Sequence, residues 1–154
     1  MIATIEELEQ VRRNCRALVR RRARAAGAAA AIPVPGLDLA ADVALLLQVI
    51  PAINRRFGLT PEQIESLDAP LKIVTYRVLR KFGVRFAGRA ITAELIISAM
   101  ASFGASLAVD AVTKFVPVVG TIASAVIGYE VFKRIAYSHI EECSRVVRDL
   151  IAAE

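Results

Sequence analysis

The amino-acid sequence predicts an all-α protein, a helical bundle of five to six helices built on two αα-hairpins. Three observations carry that prediction. Apolar residues recur at spacings of three and four along most of the chain, and no stretch alternates with period two over a convincing length. Breaks containing proline and glycine separate the periodic stretches. The turn Pro-Val-X-Gly occurs twice, at Pro33–Gly36 and at Pro117–Gly120, each time between a small-residue helix and a very apolar one.

The first helix starts at a capping box: Thr4 is followed three residues later by Glu7, so hydroxyl and carboxylate can each satisfy an orphan backbone N–H. Leu8, Val11, Cys15 and Leu18 then mark one buried face. Arg12, Arg16 and Arg20, continued by Arg24, form a separate row at i,i+4. Arg22 falls back on the apolar stripe, so the buried face must drift. After Arg24 an Ala-rich run lets another backbone approach closely, and Pro33, Pro35 and Gly36 end the helix because neither proline offers an N–H. A second helix runs from about Leu37 to Phe57, kinked at Pro51 and apolar on several sides, which places it centrally in a core. Gly58 stops it. Thr60-Pro61-Glu62-Gln63 opens a short helix, and Pro70 to Lys81 a further amphipathic one with Leu71, Val74 and Val78 inward. A long small-residue helix is expected from about Ala87 to Lys114, and a last helix from Thr121 to the C-terminus. Ser98, Ser102 and Ser106, and Gly120, Ser124 and Gly128, lie at i,i+4 spacing and read as rows for close helix packing.

The 154 residues suit one domain, 1–154, able to bury a core without metals or disulfides. Hydrophobic residues reach 56% and aromatic residues only 6%, a mixture that packs helices but offers few stacking platforms. A mean hydropathy of +0.51 implies apolar surface that meets a partner, another copy or lipid. The net charge of +5 is unevenly placed: residues 1–30 hold seven Arg against Glu6, Glu7 and Glu9. A basic helix of this kind suits an anionic membrane surface or an acidic protein; nucleic acid is disfavoured, since the arginines lack aromatic interleaving or a recognisable motif. Cys15 and Cys143 match neither a disulfide framework nor a zinc pattern and are expected reduced and buried, in a cytoplasmic protein. Met1 leads into Thr4-Ile5-Glu6-Glu7, without the basic and apolar regions of a signal peptide.

Catalysis is not expected. No phosphate-cradling glycine loop is present, and His139 is the single histidine, which leaves no two-histidine metal site. Beside Glu141 and Glu142 it reads as a surface or boundary residue. Asp38 and Asp42 share a helix face, but read as a cap and an ion-pair partner of the first helix rather than an acid–base pair. No catalytic, cofactor or metal residue is assigned. The longest uncharged stretches, Leu95–Val109 and Phe115–Tyr129, are each 15 residues, short of the roughly 18–20 a span needs. Asp110 and Lys114 between them can pair, so the two stretches together could still enter lipid as a hairpin.

Ala31-Ile32-Pro33-Val34-Pro35-Gly36-Leu37 with Asp42-Val43-Ala44-Leu45-Leu46, and the later Phe115-Val116-Pro117-Val118-Val119-Gly120, resemble the helical domain of the immunity-related GTPases and related bacterial GTPase-associated membrane domains. The resemblance covers roughly residues 25–140. The G domain that hydrolyses nucleotide in that family is missing here, so the resemblance implies only oligomer contacts and membrane targeting. The expected function is therefore a non-enzymatic interaction domain that binds a GTPase-like partner or itself, with Arg12, Arg16, Arg20 and Arg24 as the contact row, at a membrane surface or free of it. The alternative is a membrane-inserting, channel-like effector using the two apolar hairpins.

Overall fold

The computed structural model describes residues 2–29, 37–114 and 121–153, the side chains of 25–29, 37–39, 104–114 and 121–128 excepted. Six helices follow in order: α1 (Ile5–Ala29), α2 (Leu37–Phe57), α3 (Pro61–Glu65), α4 (Ala69–Phe82), α5 (Ala93–Lys114) and α6 (Thr121–Ile151). No strand occurs among the described residues, and the helices form one all-α bundle. The turn residues Pro33, Pro35, Gly36, Pro117 and Gly120 lie outside the described set, as do the surroundings of Ser106, Ser124 and Gly128.

Local chemistry sets most boundaries. At the start of α1 the Glu7 N–H donates to Thr4 Oγ1 at 3.2 Å, while the Glu7 carboxylate accepts from the Ala3 N–H at 3.0 Å, one residue beyond the cap itself. Gly58 turns left-handed, with φ +74°, and ends α2. Thr60 and Gln63 form a reciprocal capping box at α3, with Pro61 in its first turn. Gly83, at φ +58°, closes α4. The fifth helix begins at Ala93 rather than near Ala87. Gly88 adopts φ +70° and donates its N–H to the Leu59 carbonyl at 2.9 Å, a geometry no helix accommodates. Thr92 then caps α5, its Oγ1 accepting from the Leu95 N–H at 3.3 Å.

Two contacts fix the direction of α1 against α2. Arg22 Nη1 donates to Gln48 Oε1 at 3.1 Å, and Arg56 Nη1 donates to the Asn14 carbonyl at 3.1 Å. Rising numbers on one helix meet falling numbers on the other, so the pair is antiparallel. The buried stripe of α1 is Leu8, Cys15, Val19 and Ala23, with Val11 and Leu18 only half-buried. Its steps of seven, four and four carry it round the helix, so Arg22 clears the core. On α2 the core residues are Leu46, Val49, Ile50, Ile53 and Phe57, and the helix continues through Pro51.

The organising element is α6, which packs against α1, α2, α4 and α5. Val131, Phe132, Ile135, Ala136, Ile140, Val146, Val147 and Leu150 are buried along it. Each such aliphatic or aromatic side chain taken from water contributes about 1.5–3 kcal/mol. Among the described side chains of α5, Ile96, Ala99 and Met100 are buried. Ser98 and Ser102, expected in a packed row, are exposed instead, and Ser102 Oγ donates to the Ser98 carbonyl at 3.1 Å. Ile96, Ala99 and Met100 take the core face, and the Ser102 hydroxyl is satisfied on its own helix.

Candidate functional site

The arginine row of α1 divides into two parts. Arg12 grips Glu141 of α6 through two parallel bonds, Nη2 to Oε2 at 2.7 Å and Nε to Oε1 at 3.1 Å. Arg16 Nη2 adds a third, to Glu141 Oε1 at 2.7 Å. Glu9 extends the network, accepting from Arg12 at 3.2 Å and from Arg148 at 3.0 Å. Burial opposes ionisation of Glu141, but the hydrogen bonds from Arg12 and Arg16 outweigh it and hold its carboxyl below the usual range. Arg12 and Arg16 thus face a carboxylate of their own chain. Arg20 and Arg24 are exposed, and no carboxylate among the described side chains lies within ion-pair distance of either.

Next to the row, α1 and α2 enclose an open groove of about 380 Å³ lined by Val11, Asn14, Ala17, Leu18, Arg21 and Arg56. Val11, Ala17 and Leu18 are half-buried and supply its apolar floor. Arg56 is fastened at one side by its bond to the Asn14 carbonyl. It also faces Cys15, whose thiol burial pushes up to about 11 despite the opposing pull of that cation.

His139 is not a surface residue. It is fully buried, and its Nε2 lies 2.8 Å from Asn54 Oδ1. The Asn54 amide nitrogen donates to the Phe86 carbonyl at 3.1 Å, which leaves Oδ1 as the acceptor and Nε2–H as the donor. The second ring nitrogen faces Glu142 at 3.9 Å and the Cys143 sulfur at 3.8 Å. Phe86 meets the imidazole edge to face, with centroids 5.3 Å apart. Burial lowers the His139 pKa against the opposing pull of Glu142, and burial raises that of the Cys143 thiol. A neutral imidazole and a protonated thiol with no exposed surface fasten α2 and α6 to the segment between α4 and α5. They do not line the α1–α2 groove.

Among the described residues no group of three or more His, Cys, Asp or Glu could hold a metal ion. Cys15 and Cys143 are both free and buried. Asp42 is half-buried, and the Asp38 side chain lies outside the described set. No described helix is long and apolar enough to cross a membrane. No protein-family model matches the chain, and comparisons with curated proteins and with solved structures find no match either.

Proposed function

We infer that the chain is a non-enzymatic helical interaction domain, which binds a protein partner through the exposed arginine face of α1. One observation carries this reading: Arg20, Arg21 and Arg24 stand on one helix with no carboxylate partner among the described residues, whereas Arg12 and Arg16 both pair with Glu141. Cations left in this state attract an acidic surface and steer it during encounter. The resemblance at the two proline turns makes a GTPase-like protein the first partner to try, with a second copy of the chain as the other.

A membrane-inserting role is a second reading. Ile97 is 49% exposed and Tyr129 44%, so the α5–α6 pair leaves large apolar side chains in water. Light scattering on the eluting protein, with and without detergent and with and without a purified GTPase domain of the resembled family, separates the two. An interaction domain is soluble without detergent and shifts in mass with the GTPase domain or with its own concentration. A monomer that stays a monomer under every condition sinks the interaction reading, and aggregation relieved only by detergent favours insertion.

A further inference from the structure

The groove between α1 and α2 combines an apolar floor with two cations at its rim. Val11 and Leu18 stand seven residues apart on α1, about 10 Å or two turns, with Ala17 beside them. Arg21 and Arg56 flank that floor, and neither has a carboxylate within ion-pair distance among the described residues. Two-turn apolar spacing with charge at the edge is the complement of one amphipathic helix. We propose that this groove docks an acidic amphipathic helix of a different protein, its apolar residues on Val11 and Leu18 and its carboxylates on Arg21 and Arg56. The proposal rests on the interaction reading above and supplies its site and the partner's chemistry.

Charge selects the occupant. A second copy is a poor match, because the chain carries +5 and like-charged surfaces oppose association. A bilayer is a poor match as well, since a flat surface leaves a concave apolar floor unfilled. A helix enters the concavity, and its glutamates meet planar guanidiniums with geometry suited to paired bonds.

The test uses the full chain and a fluorescent peptide of about four turns, with leucines at i, i+3 and i+7 flanked by glutamates. Anisotropy is compared with a scrambled peptide of the same composition, with a lysine-flanked version and with vesicles of anionic phospholipid. The ordered acidic peptide is expected to bind about tenfold more tightly than the scramble, and Arg21→Glu to remove about that factor while favouring the lysine-flanked peptide. Leu18→Ser is expected to weaken the ordered peptide and leave the scramble unchanged. Arg21 is exposed and Leu18 half-buried, and circular dichroism checks that both variants remain folded. Equal affinity for ordered and scrambled peptides overturns the proposal, as does an Arg21→Glu variant that binds normally. Vesicle binding that depends on Arg21 more than peptide binding does also overturns it. If the peptide fails while the chain still binds the GTPase domain or itself, only the groove assignment falls; if all three fail, the interaction reading falls with it.

Discussion

His139 sits where burial works against protonation. Asn54 Oδ1 occupies one ring nitrogen, and the other faces Glu142 at 3.9 Å and the Cys143 sulfur, with Phe86 across the ring. Burial dominates the attraction of Glu142, so the folded pKa lies below the ordinary 6.5. The folded state therefore binds this proton less readily than the unfolded chain does. Its contribution is complete above about pH 6.5 and is lost as pH falls from there through the folded value, after which the loss levels off. Urea denaturation between about pH 7.5 and 5 is expected to show falling stability on acidification, and His139→Gln to flatten that slope; an equal slope in both proteins refutes the assignment. Asn54→Ala leaves the imidazole N–H and the Phe86 carbonyl without partners in a dry interior. It is expected to cost about 3 kcal/mol in the same assay. The sequence held a clue to this cluster, since His139 and Cys143 are i,i+4 on one helix face between Ile135 and Val147. Glu141, two residues after His139, lies on another face of α6 and points to the surface, whereas Glu142 shares the His139 face and meets its ring at 3.9 Å. Asn54 was invisible to that reasoning, being brought in from a helix 85 positions earlier.

Helix starts and stops followed local chemistry wherever a cap or a glycine acted alone. Thr4, Gly58, Thr60 and Gly83 each end or begin an element where the sequence places it. The segment before α5 was misread because its determinant is tertiary: Gly88 donates to Leu59 across the fold. A Cβ at Gly88 would lie 2.8 Å from a Leu79 methyl and 3.3 Å from one of Ile64, whereas one at Gly58 would meet nothing within 4 Å. Both sites have left-handed backbone. Gly58→Ala is expected to cost about 1 kcal/mol from conformation alone, and Gly88→Ala about 2 kcal/mol from conformation and crowding together. Thermal melts that rank them the other way would show that Leu79 and Ile64 yield freely. The arginine row makes a contrast on one helix. Arg12→Glu sets a carboxylate against Glu9 and Glu141 and is expected to destabilise by about 1–2 kcal/mol. Arg20→Glu is expected to leave the melting temperature nearly unchanged while weakening binding to an acidic partner, and added salt should mimic that loss. Periodicity located the row; the division at Arg16 required knowing that Glu141 returns to face it from across the bundle.

At the scale of the whole molecule, the all-helical class and the general order of elements were legible because spacing and breaks are properties of neighbours in sequence. The ion-pair network was not, because its ties join residues far apart: Glu9 meets Arg148 across 139 positions, and Arg16 meets Glu141 across 125. A chain ended at Lys114 keeps α1 to α5 but loses the helix that touches four of them. It is expected to lack cooperative melting and to be cut rapidly by protease, and a fragment with a sharp transition would show that α1, α2 and α5 hold a core unaided. The length of α6 and its position after the other five helices also bear on how the protein is made. A ribosome delivers α1 and α2 well before α6, at about 5–20 residues per second, so their apolar stripes wait for seconds without the surface that covers them. During that interval the exposed stripes favour aggregation of the nascent chain. Slowing translation through the codons of α6 should then lower soluble yield, although it changes no residue of the product.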